Sequence, residues 1–269
     1  MIIAGIDEAG YGPLLGPLIA TGVAFEVPDA LAEADLWDAT ATSIARAPKR
    51  GDTRLPIADS KKLYQRSAGL ATLERTALVM LAAAGRAPQS LRGLLKVVAP
   101  QVVEALDTYP WYQGYDPGLP QATSAADVTT RANAIRRDAG DHGVRLCGVY
   151  SEVLLEGQFN QLVARTHNKA TALFRLVLLL VQRLMARHGG TLRVLVDRQG
   201  GREHYVEKLL TFFQGARLRV IEESPQRSAY ALTLHQRTWE ITFTVAGEDR
   251  HLPIALASVY SKYLREMLM

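Results

Sequence analysis

The chain has a single cysteine, Cys147, in 269 residues. One thiol can close no intrachain disulfide and can build no cysteine-based zinc cluster, which excludes a stapled scaffold. It sits in Leu146-Cys147-Gly148-Val149, a segment that reads as a buried strand, where a thiol packs rather than reacts. Long hydrophobic runs are lacking as well, and a stretch such as 176–181 falls far short of a bilayer span. No basic n-region with an apolar core precedes the acids at positions 7 and 8, so a reducing cytoplasm and no membrane association are the expectation. The six histidines are scattered, with no H-E-x-x-H and no paired zinc spacing. His167 and His251 lie near candidate site elements, yet each also reads as a surface or capping residue. G-x-S-x-G and Walker loops are missing too, as are internal repeats and low-complexity tracts.

What is present is the composition of a globular enzyme-sized domain, with 48% hydrophobic and 22% charged residues. The net charge of +4 is only a mild tilt toward polyanions. Its distribution is more telling. Arg46, Lys49, Arg50, Arg54, Lys61, Lys62 and Arg66 face only Asp52 and Asp59, a local excess of five positive charges. That stretch is either a phosphate-facing patch or a solvated loop.

Apolar alternation predicts strands over 2–6 and 18–25, separated by a turn rich in glycine and proline. An Ala-rich segment predicts a helix over 31–46, and helical periodicity a second over 65–84. Residues 85–143 differ in character: an aromatic, turn-rich loop around Tyr109 to Pro117 precedes a polar helix over 124–137. Regular alternation then resumes. Strands are expected over 144–155, 192–196 and 217–221, helices over 168–188, 203–213 and 254–268, and a hairpin over 229–234 and 239–245. This pattern predicts one mixed-sheet α/β domain spanning 1–269, with 85–143 as an insertion or lid.

Two carboxylates, Asp7 and Glu8, end the first apolar strand. Neighbouring strand residues point to opposite faces, so both cannot enter the core together. Clustered carboxylates repel one another unless cations lie between them, and oxygen-only ligands select hard ions such as Mg²⁺. Asp197 ends another apolar strand, at the carboxyl edge where α/β sheets form their sites, although Gly200-Gly201 also allow a turn or capping role. Gly10-Tyr11-Gly12 is not a dinucleotide fingerprint, since Pro13 and Pro17 interrupt it, but its backbone N–H groups suit a phosphate or sugar hydroxyl. Ser60, Lys61 and Lys62 suit phosphate contacts, or a solvated loop.

Four segments together resemble the ribonuclease HII/HIII family. Gly5-Ile6-Asp7-Glu8-Ala9-Gly10-Tyr11-Gly12-Pro13-Leu14-Leu15-Gly16-Pro17-Leu18 resembles its opening motif and Asp59-Ser60-Lys61-Lys62-Leu63 its second block. Val196-Asp197 is similar to the third, and Ala257-Ser258-Val259-Tyr260-Ser261-Lys262, with Arg265-Glu266, to the fourth. They occur in the family's order and leave 85–143 unmatched.

The resemblance implies a ribonuclease H-like fold, a mixed five-stranded sheet flanked by helices. It implies four carboxylates holding two Mg²⁺ or Mn²⁺ ions: Asp7, Glu8, Asp197 and, in the register just after Gly247, Glu248, with Asp249 the near alternative. It further implies substrate contacts from Gly10, Tyr11, Gly12, Ser60, Lys61, Lys62, Ser258 and Lys262. The substrate would be the RNA strand of an RNA–DNA hybrid or ribonucleotides embedded in DNA, cut by a monomer, with the glycine turn sensing the 2′-hydroxyl. Tyr11 stands where the HII branch carries arginine, which removes a cationic phosphate contact. The aromatic segment adds length; Trp111, Tyr112 and Tyr115 either stack on bases or pack onto the domain. A binding protein that has lost cleavage, or a nuclease for another DNA structure, is the alternative expectation.

Overall fold

A computed structural model describes residues 1–10, 16–48, 51–64 and 69–269. The expectations for Tyr11 and Gly12, and for Lys49, Arg50 and Arg66 of the basic stretch, lie outside the described residues.

Nine strands are described: β1 (Ile2–Ala9), β2 (Leu18–Glu26), β3 (Ile44–Ala45), β4 (Leu55–Pro56), β5 (Arg145–Leu154), β6 (Leu192–Asp197), β7 (Arg217–Glu223), β8 (Arg227–Leu234) and β9 (Arg237–Thr244). Two of them, β3 and β4, form a small separate pair. The other seven make one mixed sheet in the order β5-β2-β1-β6-β9-β8-β7. β1 runs antiparallel to β2 and parallel to β6, and β6 runs parallel to β9.

The sheet therefore has seven strands, not the five expected. The subset β5-β2-β1-β6-β9 is five strands wide. Beyond it, β8 returns from β9 as a hairpin and β7 pairs antiparallel with β8, so the meander continues the sheet past β9. His235 and Gln236 turn that hairpin with φ values of 49° and 64°, the left-handed pair that matches the twist of its strands.

Alternation along β1 divides the core. Ile3 belongs to one apolar cluster with the C-terminal helix Leu252–Met267 and the helices Ala71–Ala83, Leu91–Val98 and Ala125–Asp141. Ala4 and Ile6 belong to the other, with the helix Lys169–Arg187 and the helix Val206–Phe212. Both faces of the sheet are thus covered. At roughly 1.5–3 kcal/mol per fully buried large aliphatic or aromatic side chain, these layers supply the dominant stabilising contribution. Gly5 lets the C-terminal helix approach: a Cβ there would lie 2.2 Å from backbone atoms of Pro253 and Ile254. Pro253, in the first helical turn, gives up no hydrogen bond by lacking its N–H.

Residues 85–143 contribute buried Leu91, Leu94, Leu95, Val98, Tyr112, Leu119, Ala132 and Ile135 to the first cluster. The carboxylate of Glu74, fully buried, accepts the N–H groups of Gln121, Ala122 and Thr123 and the hydroxyl of Tyr263. One side chain thereby ties this segment, the Ala71–Ala83 helix and the C-terminal helix together.

The helix expected over 31–46 does not form. Asp35 caps only one turn, Leu36–Ala39, by accepting the Trp37 N–H. The Thr40 hydroxyl then binds back to the Leu36 carbonyl, and the chain turns into β3. A helix over Glu156–Thr166, unforeseen from sequence, precedes Lys169–Arg187; His167 breaks the two apart at φ 50°, and Asn168 caps the second. Ten α-helical segments are found among the described residues, none long and apolar enough to cross a membrane.

Candidate carboxylate site

Three parallel strands end at one edge of the sheet, and each delivers an acid there. Ile6 of β1 pairs in register with Val196 of β6, which places Asp7 beside Asp197. Asp197 pairs with Thr244 at the end of β9, and the chain then passes through Ala246, at φ 51°, into the single turn Gly247–Asp249. The Gly247 N–H donates to Asp197 Oδ1 at 2.7 Å, and this bond sets the turn that carries Glu248. The carboxyl ends of parallel strands are where α/β sheets commonly build their sites, because successive connections diverge there.

The C-terminal helix closes the site from one face. Ser261 donates its hydroxyl to the Asp7 carbonyl at 3.0 Å. Ser258, one turn earlier, lies beside the Asp7 carboxyl and donates to Ser60 Oγ at 3.0 Å, while the Ser60 N–H donates to Ser258 Oγ at 3.3 Å. Ser60 begins the short helix Ser60–Leu63, capped by Asp59 through the Lys61 N–H. Lys61 is therefore held close to the acids, whereas Lys62 reaches outward into an ion pair with Asp249. Of the two candidates for a fourth acid, Glu248 faces the other three carboxylates, and Asp249 is half-exposed on Lys62.

The electrostatics follow from the crowding. Burial, then the charge of Glu8, hold the Asp7 carboxyl well above the usual carboxylate range, with only 8% of the residue exposed. Glu8 is pushed up to about 7, first by burial and then by Asp197, while Lys61 pulls the other way. Asp197 is pushed up to about 8 by burial and by Asp7, against the opposing hydrogen bond from Gly247. Lys61 is raised in turn, chiefly by Asp59 and then by Asp7, Glu248 and Asp197. Mutual repulsion of this kind is what a bound dication removes.

The donor set is oxygen-only, and Glu248 Oε2 is buried with no hydrogen-bond partner. Both features fit a hard divalent ion. As the side chains stand, no three acids, histidines or cysteines among the described residues are grouped closely enough to hold an ion jointly.

The other expected contacts divide. Gly10, at φ +102°, has its α-carbon against the Pro17 carbonyl and the Arg265 side chain, so a Cβ would lie 2.5 Å from that carbonyl. Ser60 and Ser258, 5% and 3% exposed, bond each other and join two helices rather than face outward. Lys262 donates to Glu266 at 2.6 Å and lies 4.7 Å from the centre of the Tyr64 ring. Tyr112 is buried, its hydroxyl donating to the Leu268 carbonyl at 2.8 Å, while Trp111 and Tyr115 are exposed. His251 occupies the position before the C-terminal helix without a side-chain capping bond, and burial lowers it.

Gln199 escaped sequence reasoning. Both atoms of its amide are buried without a hydrogen-bond partner, yet it lies beside the Glu8 carboxyl and favours its charged form. Its place two residues after Asp197 was the available signal, obscured by the Gly200-Gly201 turn that follows. Compared with models of known protein families and with curated proteins, the sequence matches none.

Proposed function

We propose that the chain is a metal-dependent endonuclease with a ribonuclease H-like core, cutting the RNA strand of RNA–DNA hybrids or ribonucleotides embedded in DNA. The observation that carries this is the convergence of Asp7, Glu8, Asp197 and Glu248 at the carboxyl edge of β1, β6 and β9, three of them raised by burial and by one another. The strands β5-β2-β1-β6-β9 would be the ribonuclease H-like core, with β8 and β7 added at its edge.

In this reading the four acids hold two Mg²⁺ or Mn²⁺ ions. Held there, such a pair would supply activation of the attacking water and stabilisation of charge on the leaving 3′ oxygen. The chain's own residues do the positioning. Gly247 fixes Asp197 through its N–H, and the Ser261 hydroxyl fixes the Asp7 backbone from the C-terminal helix. Lys61 supplies a cation beside the acids, where a phosphate would approach. Gly10, at the end of the described segment that follows the acids, would bring backbone close to the 2′-hydroxyl. The protein would act as a monomer in the reducing cytoplasm, the setting that suits a lone thiol.

The test is incubation with a labelled RNA–DNA hybrid, a duplex carrying one ribonucleotide, and plain DNA, each with Mg²⁺ or Mn²⁺. Cleavage of either ribonucleotide-containing substrate with 3′-hydroxyl and 5′-phosphate ends is expected. Cleavage of plain DNA alone would move the assignment to another nuclease. Binding without cleavage would make the chain a nucleic-acid-binding protein.

A further inference from the structure

A groove of about 770 Å³ lies over the first half of β5, at the sheet edge opposite the acids. Its floor is Ile2 and the run from Leu146 to Tyr150, and its walls come from three separate helical segments. Arg86 follows the helix Ala71–Ala83, Lys96 projects from Leu91–Val98, and Arg187 ends Lys169–Arg187.

The charges there are unbalanced. Arg145 is paired with Glu26 and Arg183 with Glu152. Arg86, Lys96 and Arg187 are exposed and make neither an ion pair nor a side-chain hydrogen bond with any described residue. Among the described residues Glu26 is the only acid in the lining, and it is already engaged. Three uncompensated cations brought together by three elements repel one another, and a concave wall of protein concentrates their field. Burial and Arg187 lower His188, so the charge of the groove is carried by arginine and lysine.

The floor carries one aromatic ring, Tyr150. A Cβ on Gly148 would lie 2.5 Å from the Tyr150 hydroxyl, so glycine leaves room for that ring to lie over the strand. Arg183 sits 5.5 Å from the centre of the Tyr150 ring, and the hydroxyl is 3.3 Å from His188 Nε2.

We propose that this groove is a phosphate-binding site, taking phosphate esters carried by a nucleic-acid strand or by a free nucleotide. It is separate from the carboxylate site. Ile2 in its floor and Asp7 are five residues apart on one strand, roughly 17 Å at the usual rise. On a duplex that distance is about five base steps. The site rests on its own charges and does not depend on the nuclease assignment.

The experiment measures binding in EDTA, where metal-dependent cleavage cannot intervene. A fluorescein-labelled oligonucleotide is titrated by anisotropy, and ATP and inorganic phosphate by calorimetry. The variant is Lys96→Glu with Arg187→Glu, both on the surface, its fold checked by melting. The control reverses two charges elsewhere, Lys208→Glu with Arg219→Glu. The groove variant should lose about tenfold or more in affinity, with a shallower salt dependence, while the control changes less than about threefold. Loss for the oligonucleotide alone identifies a strand as the source of the phosphate; loss for ATP alone identifies a free nucleotide. Equal affinities for groove variant and control, or no binding of any probe by the unmodified protein, would overturn the proposal.

Discussion

The Gly247 N–H and the Asp197 carboxylate are joined by a 2.7 Å hydrogen bond, and that bond orders the turn bearing Glu248 against the end of β6. A Cβ on Gly247 would stand 2.6 Å from Ile254 Cδ1, 2.9 Å from Thr244 Cγ2 and 3.2 Å from Asp197 Oδ1. Gly247→Ala must therefore displace the Ile254 and Thr244 side chains or shift the turn against Asp197. Cleavage should fall by about tenfold to a hundredfold, since misplacement by about an ångström costs that much. Stability should fall by about 1–3 kcal/mol, the usual cost of overpacking. Denaturant melts and hybrid cleavage on the same preparation check both, and unchanged values for both would contradict the assigned role of the turn.

The crowded acids make stability depend on pH in a definite direction. Glu8 is raised from 4.5 to about 7 and Asp197 from 3.8 to about 8, so the folded protein holds more protons than the unfolded chain across that interval. Their contribution to stability is complete below pH 4 or so and is lost as pH rises through about 8. In EDTA the melting temperature should fall over this range. Asp197→Asn keeps an acceptor for Gly247 and removes one charge, so it should raise the melting temperature at pH 8 by several degrees and flatten the pH dependence. A variant less stable than the parent at pH 8 would contradict the assigned repulsion.

Glu74 joins three segments by accepting from four donors in a buried setting. Glu74→Gln replaces an acceptor by an amide that brings donors toward three N–H groups. A loss of about 2–4 kcal/mol is expected from urea melts, because buried polar groups would be left unsatisfied. The loss should come with increased protease sensitivity near Gln121. A variant as stable as the parent would show that the segment is held by apolar packing alone.

Adjacent lysines should behave differently. Lys62 is exposed and paired with Asp249, so Lys62→Ala should change stability by no more than about 1 kcal/mol. Lys61 lies close enough to the acids to oppose the upward shift of Glu8. Lys61→Ala should weaken binding of an RNA–DNA hybrid in a filter assay by about tenfold, the worth of one charge-assisted contact. Equal effects of the two substitutions would argue for a diffuse basic surface instead.

Much of the sheet was legible because its strands are short apolar runs closed by glycine or proline turns. β1, β2, β5, β6 and the β8–β9 hairpin lie within a few residues of their expected bounds. The five-strand width came from the resemblance alone; the local strand signals over 217–221 and the 229–245 hairpin already pointed to β7 and β8, which extend the sheet by antiparallel pairing. The failed helix over 31–46 shows propensity losing to side-chain capping by Asp35 and Thr40. Asp7, Glu8 and Asp197 stood out because acids ending apolar strands need a reason to be there. Gln199 did not, since an amide after an aspartate is common in turns and only burial makes it unusual. The groove of Arg86, Lys96 and Arg187 was invisible because Arg187 lies ninety or more positions from the other two, and only the fold brings it to the same groove.

The most direct test compares the parent protein with Asp7→Asn and Asp197→Asn on one labelled RNA–DNA hybrid, with Mn²⁺ and with EDTA. Cleavage by the parent only with metal is expected, leaving 3′-hydroxyl ends, with a loss of about a thousandfold or more in both folded variants. A parent that cuts no substrate with Mg²⁺ or Mn²⁺, or a variant that cuts as fast as the parent, would contradict the account.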